Sequence, residues 1–205
     1  MLKLFHSWGA CSLASLIALE EAGADYELCV MSTARGDQHK PEYLAVNPKA
    51  RVPALVSDRG VLTETPAILA YVAQAYPAAK LAPDEPWAFA QMQAFNTYLC
   101  ATVHIAHAHR HRGARWATEE SSFADMRGKV AENMRACYRL IEGEYLKGPW
   151  VMGEQFTVAD GYLFTITGWL EVDGVDVNEF PRVRAHCERV QVRPSVGKIL
   201  ASRAA

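Results

Sequence analysis

The 205-residue chain has no long apolar run, no CxxC pair and almost no net charge. Its apolar stretches are short and interrupted, so no segment is expected to cross a bilayer. The opening residues, MLKLFHSW, lack the apolar core and the cleavage site of a signal peptide. A formal net charge of −2 gives no general attraction to nucleic acid or to anionic lipid. We therefore expect a cytoplasmic protein with no membrane and no nucleic-acid partner.

The five cysteines are odd in number, lie far apart and include no CxxC pair. This pattern argues against a disulfide framework, a structural zinc site and a dithiol redox motif. Most of them are expected to be small buried apolar side chains. Half of the residues are hydrophobic and 21% are charged, which is typical of a folded chain with one large or two small domains.

Strand and helix patterns alternate in the first third of the chain. Strand patterns at 2–6 and 26–31 flank a helical run over 12–22, which Gly23 is placed to end. One or two helical turns, then a hairpin in VPALVSDRGVLT, precede a helix that Thr65 is expected to cap. The predicted order, β-α-β-α-β-β-α, is the layout of a thioredoxin-like fold.

The remainder of the chain has helical patterns only. Residues 78–86 are polar and proline-rich, so we expect a linker there, after a first domain over residues 1–77. Helical periodicity then covers 87–111, 122–146, 158–170 and 181–202. We therefore predict an α+β fold. It joins an N-terminal thioredoxin-like domain, with a four-stranded mixed sheet and helices, to an all-α bundle over residues 87–205.

Cys11 stands where the first strand passes into the first helix. The first turn of a helix has unpaired N–H groups and the positive end of the helix dipole, and both stabilise a thiolate. Cys11 is thus expected to be acidic and reactive, or to lie beside a bound anion such as the sulfur of a thiol ligand. A buried structural cysteine is an equal alternative on position alone.

Two more sequence features could bind a ligand near this thiol. Val52 precedes Pro53, and a proline at this point of a thioredoxin-like fold is commonly cis. A cis peptide bond would turn the Val52 backbone toward the thiol, where it could pair with the backbone of a peptide ligand. A trans proline opening a strand is the alternative. Glu64 and Thr65 begin a helix, where the amides can bind a carboxylate and Glu64 can bind an ammonium. Together, Glu64 and Thr65 could bind the ammonium and the carboxylate of an α-amino acid group. The alternative is an ordinary helix cap with an adjacent acidic residue.

Together these motifs resemble a known family. The segments GACSLASLIALEE, LAVNPKARVPAL, VLTETPAILAYVA and FTVADGYLFT, in this order, resemble the cytosolic glutathione transferases, and the bacterial beta class most closely. The resemblance covers the whole chain. It implies a homodimer that takes glutathione as its co-substrate, needs no metal, and conjugates glutathione to small hydrophobic electrophiles in detoxification.

The resemblance also implies roles for single residues. It places Cys11 at the glutathione sulfur as the catalytic cysteine. Val52, next to Pro53, would pair with the cysteinyl backbone of glutathione. Glu64 and Thr65 would bind the γ-glutamyl head.

The helical domain and one loop contribute further residues through the resemblance. His104 falls on a catalytic-site histidine, and Arg35 stands near a basic residue that helps to bind the peptide. Close relatives use an asparagine of the first bundle helix to reach the partner subunit's glutathione. Here Thr97 takes the aligned position and Asn96 precedes it. A step of one residue turns a side chain by about 100° around a helix, so Asn96 is not expected to point where the aligned asparagine does. The contact with the partner subunit's glutathione, and the affinity for glutathione, are therefore expected to be reduced.

Three other patterns are expected to be structural. TVAD at 157–160 has the form of a helix capping box. In a histidine cluster of the first bundle helix, two pairs with spacings of three and four residues can each share a helix face. No carboxylate or cysteine lies nearby in register, so no metal is expected. Four tryptophans are expected in the core or at an interface. The histidines are His104, His107, His109 and His111, and the tryptophans are Trp87, Trp116, Trp150 and Trp169.

Two other functions stay open at this point. One is a glutathione-dependent thiol-disulfide reductase or peroxidase in which Cys11 reacts covalently, which predicts a stable mixed disulfide and little conjugation. The other is a non-catalytic binding protein that kept the fold, which predicts no measurable affinity for glutathione.

Overall fold

The N-terminal elements follow the predicted order in the computed structural model, which describes residues 1–203. The four strands form one mixed sheet in the order β2-β1-β3-β4, in which only β1 and β2 are parallel. The predicted four-stranded mixed sheet is therefore confirmed. The elements are β1 (Leu2–His6), α1 (Ser12–Glu21), β2 (Tyr26–Val30), α2 (Pro41–Leu44), β3 (Ala54–Ser57), β4 (Gly60–Thr63) and α3 (Thr65–Ala75).

The ends of α1 and α3 follow from local backbone chemistry. Gly23 has φ 64° and ends α1, as predicted, because glycine tolerates the left-handed conformation. The prediction that Thr65 caps α3 is wrong. Thr65 is the first residue of the helix, and Glu64, with φ 72°, stands at the capping position without a side-chain capping bond.

The second part of the chain is helical, as predicted. The first bundle helix passes from α4 to α5 through a π-helical turn at Leu99–Val103, and α6 ends in a second such turn at Ile141–Tyr145. The predicted helix over 181–202 is two helices, because the ring of Pro194 cannot continue the first one. The helices are α4 (Pro86–Tyr98), α5 (His104–Ala108), α6 (Glu120–Leu140), α7 (Val158–Thr167), α8 (Pro181–Gln191) and α9 (Pro194–Arg203).

Helix α7 crosses the middle of the molecule and packs on α1. Gly161 allows the close approach, since a Cβ atom there would lie 3.0 Å from a methyl carbon of Ile17. The capping box of Thr157 and Asp160 is present, as predicted. The buried Asp160 carboxylate also lies 2.9 Å from the ring of His186, so it ties the start of α7 to α8.

Within residues 1–203, none of the helices combines the length and the apolar character needed to cross a bilayer.

Candidate functional site

The Cys11 thiol lies against the backbone that leads into β3. The Val52-Pro53 peptide bond is cis, as predicted. The Sγ atom of Cys11 donates to the carbonyl oxygen of Val52 at 3.6 Å. The hydroxyl of Tyr43 donates to the carbonyl oxygen of Arg51 at 2.6 Å and so holds the chain just before the cis bond. The cis bond thus turns Val52 toward the thiol.

Burial has the largest effect on the ionisation of Cys11. Its side chain is 9% exposed at the start of α1. Burial raises the pKa of the Cys11 thiol, because the thiolate loses its hydration. The Thr65 hydroxyl and the positive charge of Arg112 act in the opposite direction but do not outweigh this effect on the pKa. Of the two alternatives that position left open, the buried cysteine agrees with the protein without ligand, and the acidic one does not.

The turn between β1 and α1 is held by buried polar groups. The Ser12 hydroxyl lies 2.9 Å from Nδ1 of His6 and accepts the backbone N–H of Ser7 at 3.1 Å. His6 has no exposed surface, and its burial lowers its pKa to about 4. A neutral imidazole and a hydroxyl therefore fix the start of the turn that carries the thiol.

The start of α3 offers both a charge and a hydroxyl. The Glu64 carboxylate is half exposed and pairs with Lys49 at 2.5 Å. Lys49 also donates to the hydroxyl of Thr63 at 2.6 Å. Exposed ion pairs contribute little free energy, so a ligand ammonium can replace Lys49. Thr65 is buried beside Cys11, where its hydroxyl lowers the pKa of the thiol.

The first bundle helix places His104 beside Trp169. The ring of His104 lies 4.8 Å from the ring of Trp169. Burial, with the positive charge of Arg112, lowers the pKa of His104 to about 3. At neutral pH this imidazole is therefore uncharged and serves as a hydrogen-bonding group.

The other histidines do not gather around one point. His107 stacks on Trp169 and pairs with Asp173, whereas His109 packs edge-on against Trp116. In the described part of the chain, no group of three or more histidine, cysteine, aspartate or glutamate side chains could hold a metal ion.

Some of the predicted site residues are not joined to this cluster. Arg35 lies on the loop after β2, where its largely exposed side chain pairs with Asp37 at 3.6 Å. Asn96 faces the interior and has no exposed surface, whereas Thr97 is exposed on the other face of α4. Of the two, only Thr97 reaches the surface.

Two groups near the thiol were missed by the sequence interpretation. The hydroxyl of Tyr162 is buried without a hydrogen-bond partner among residues 1–203, and its pKa is raised by burial and by the nearby Cys11 and Cys100. Trp169, expected to be a core residue, donates to the carbonyl oxygen of Gly9. No local sequence signal places these two side chains near the thiol, since their positions depend on how the segment from α7 to Trp169 packs against the N-terminal part.

Comparisons with known proteins agree with this geometry. The sequence profile of the glutathione S-transferase N-terminal domain matches residues 1–74, and that of the C-terminal domain matches residues 90–189. The chain is 31% identical to glutathione S-transferase GstA of Escherichia coli O157:H7 over 98% of both chains.

Solved structures show the same similarity. A Sulfitobacter glutathione transferase homologue with bound glutathione superposes with a TM-score of 0.96, at 45% identity over 98% of both chains. The bacterial beta class glutathione S-transferase of Sphingomonas chungbukensis superposes with a TM-score of 0.84, at 34% identity and the same coverage. With both domain profiles matched in order and the relatives matched end to end, the chain belongs to the glutathione S-transferase family.

Proposed function

We propose that this protein binds glutathione beside Cys11 and transfers the glutathione thiolate to small hydrophobic electrophiles. The observation that carries the proposal is the 3.6 Å contact between the Cys11 sulfur and the Val52 carbonyl oxygen. A cysteinyl peptide that pairs its backbone with Val52 would bring its own sulfur to Cys11. The Sulfitobacter homologue, solved with glutathione bound, supports this ligand.

The two ends of glutathione match different groups of the cleft. The γ-glutamyl head has an ammonium for Glu64 and a carboxylate for Thr65 and the amides at the start of α3. Lys49, which now holds Glu64, would give way to the ligand ammonium. Arg35 is proposed for the glycyl end, after its exposed side chain turns away from Asp37.

The chemistry requires glutathione to be bound as the thiolate, which is the nucleophile. Amides at the start of α1 and a hydrogen bond from the Cys11 thiol would stabilise the negative sulfur. His104 has its pKa lowered to about 3, so it is a poor base, and the proton would leave to solvent when glutathione binds. The thiolate then attacks the electrophile, and His104 offers a neutral hydrogen bond.

The wider setting of the enzyme is part of the proposal. We place the thioredoxin-like glutathione domain at residues 1–77, the linker at 78–86 and the helical domain with the electrophile site at 87–205. The protein would act as a cytoplasmic homodimer in detoxification. Thr97, exposed on α4, is the residue of the Asn96-Thr97 pair that could face the partner.

A direct test is the initial rate of glutathione conjugation to an activated aryl chloride, with S-methylglutathione as the inhibitor. The proposal predicts saturable conjugation that S-methylglutathione inhibits competitively, because the blocked thiol still presents both ends of the peptide. Conjugation no faster than the uncatalysed rate, with a range of electrophiles, would rule out the transferase activity.

A covalent use of Cys11 is the second candidate, and the position of the thiol beside the proposed cysteinyl edge favours it. Here Cys11 attacks a glutathionylated partner, takes over the glutathione as a mixed disulfide and releases the partner thiol. Free glutathione then attacks that mixed disulfide, which yields oxidised glutathione and the Cys11 thiol. Two turnover reactions separate the two candidates. Mass spectrometry should find glutathione on Cys11 during turnover of a glutathionylated peptide, and no such adduct during conjugation of reduced glutathione to an electrophile.

A further inference from the structure

A hydrogen bond across the molecule ends on the loop that carries Cys11. The indole nitrogen of Trp169 donates to the carbonyl oxygen of Gly9 at 2.9 Å, across 160 residues of sequence. Gly9 has φ 78°, a left-handed conformation that favours glycine, and it lies two residues before Cys11. The bond therefore fixes the peptide plane between Gly9 and Ala10.

The ends of this loop have contacts of their own. The N–H of Ala10 donates to the carbonyl oxygen of Ser7 at 3.1 Å, and the Ser12 hydroxyl accepts the N–H of Ser7 at 3.1 Å. Trp169 is the group from the helical part that holds the middle of the loop, at Gly9.

The indole of Trp169 packs against His107, which in turn pairs with Asp173. The ring of His107 stacks on it, with centroids 4.3 Å apart and planes at 20°. Nδ1 of His107 lies 2.8 Å from one carboxylate oxygen of Asp173 and 3.0 Å from the other. The Asp173 side chain has no exposed surface, and Arg110 lies 3.9 Å from it. A buried anion thus fixes the rotation of the imidazole.

A buried carboxylate is a poor choice if packing alone is needed. Taking it out of water costs several kcal/mol, and an apolar side chain of similar volume often stabilises a fold as well as an ion pair does. Asp173 supplies something that an apolar residue lacks, namely a fixed orientation of the His107 ring. The stacked imidazole in turn limits how the indole of Trp169 can tilt, and we take this restraint, not added stability, as the role of Asp173.

We propose that Asp173, His107 and Trp169 form a clamp that positions the Cys11 loop for chemistry. They are positioning residues, because they act on the sulfur through the Gly9 carbonyl. The proposal rests on the proposed function where it places glutathione at this loop. The effect of the clamp on the reactivity of the Cys11 thiol does not depend on glutathione transfer. Misplacement by about 1 Å can cost up to about a hundredfold in rate, so a small movement of the loop is enough.

The test compares three variants of the full chain: Trp169→Phe, Asp173→Leu and Asp173→Asn. Phenylalanine keeps an aromatic ring but cannot donate to Gly9. Leucine removes the anchor for His107, whereas asparagine keeps an oxygen that can accept from its ring. The measurement is the rate of Cys11 alkylation by iodoacetamide against pH, read by mass spectrometry of the Cys11 peptide.

The clamp predicts opposite changes in two rates. In Trp169→Phe and Asp173→Leu the loosened loop exposes the thiol to water, so Cys11 alkylation becomes faster and its pH midpoint falls. In the same two variants kcat/KM for glutathione conjugation falls about tenfold, because the loop no longer holds the site. Asp173→Asn stays within about twofold of the wild type in both rates.

Glu142→Ala is the matched control for stability. The Glu142 carboxylate accepts the N–H groups of Arg182 and Val183 at 2.9 and 3.0 Å, at the start of α8, so its loss lowers Tm without touching the clamp. The proposal is overturned if the alkylation profiles of Trp169→Phe and Asp173→Leu match the wild type. It is equally overturned if Glu142→Ala, at a similar Tm, shows the same shift.

The alkylation arm needs no glutathione. A protein that fails to bind glutathione would therefore defeat the proposed function, while the comparison of alkylation profiles would still decide the clamp.

Discussion

The Sγ atom of Cys11 lies 3.6 Å from the carbonyl oxygen of Val52, although the two residues are 41 apart in sequence. In the protein without ligand the thiol thus donates to the carbonyl that the cysteinyl N–H of a bound peptide would take. At the proposed site the ligand N–H competes with the thiol for this oxygen, and a displaced thiol would be free to donate to the sulfur of the ligand. The contact links peptide binding to the hydrogen bonding of the reactive thiol.

Glu64→Gln tests the proposed site of the ligand ammonium. An ion pair to this half-exposed carboxylate contributes up to about 1 kcal/mol, so we expect glutathione affinity to fall by up to about fivefold. Calorimetry of glutathione binding measures the change. Asp58→Asn, in the turn of the β3–β4 hairpin, is the control and should bind as the wild type does. Equal affinity in Glu64→Gln would remove Glu64 from the site.

Arg112→Gln tests the electrostatics around the thiol. The positive charge of Arg112 lowers the pKa of Cys11 against the larger effect of burial. Without that charge the thiolate is less stable and the pKa rises, so alkylation of Cys11 at neutral pH should slow about two- to threefold. Mass spectrometry of alkylated peptides reports the rate. Arg127→Gln, on α6, should leave the rate unchanged, and a faster rate in Arg112→Gln would contradict the assigned charge effect.

His6 predicts a loss of stability in acid. Its burial lowers its pKa from 6.5 to about 4 in the folded chain. Between these pH values the unfolded chain binds a proton that the folded chain does not, so the stability present above pH 6.5 is lost as the pH falls. The loss is about 3 kcal/mol by pH 4. Denaturant unfolding at several pH values should show a shallower slope for His6→Gln and the wild-type slope for the exposed His39→Gln.

Asp160→Asn tests whether the capping box anchors the start of α7. The buried carboxylate accepts the N–H groups of Val151 and Thr157 at 2.8 Å each and lies 2.9 Å from His186. Breaking a buried charged network costs about 3 kcal/mol or more, so the denaturation midpoint should fall sharply. Asp125→Asn, exposed on α6, should change little. If Asp160→Asn keeps its stability, the capping box is not the anchor of α7.

The sequence predicted most of the elements and the main contact of the site, although it indicated one helix where α8 and α9 form two. Alternating apolar residues predicted β1 and β2, and the turn signal of Asp58-Arg59-Gly60 predicted the hairpin. Cys11 at a strand-helix junction and the Val52-Pro53 pair predicted two groups that the fold brings together. These are local signals, which act within a few residues.

The sequence failed where burial or distant contacts decide. Position at a helix start favoured an acidic Cys11, but the fold buries the thiol, and burial raises its pKa. The Glu64 backbone, with φ 72°, takes the capping position that was expected of Thr65. The stacking of Trp169 and the pairing of His107 with Asp173 join residues far apart in the chain, and no periodic pattern encodes such contacts.

The measurement that tests the central claim most directly is glutathione binding to the wild type and to Cys11→Ala by calorimetry. It is combined with mass spectrometry of both proteins after exposure to oxidised glutathione. The account predicts saturable binding to both, since Val52 and Glu64 remain, and one added glutathione on the wild type alone. Absence of binding to either protein would contradict the account and leave a protein of this fold with another ligand.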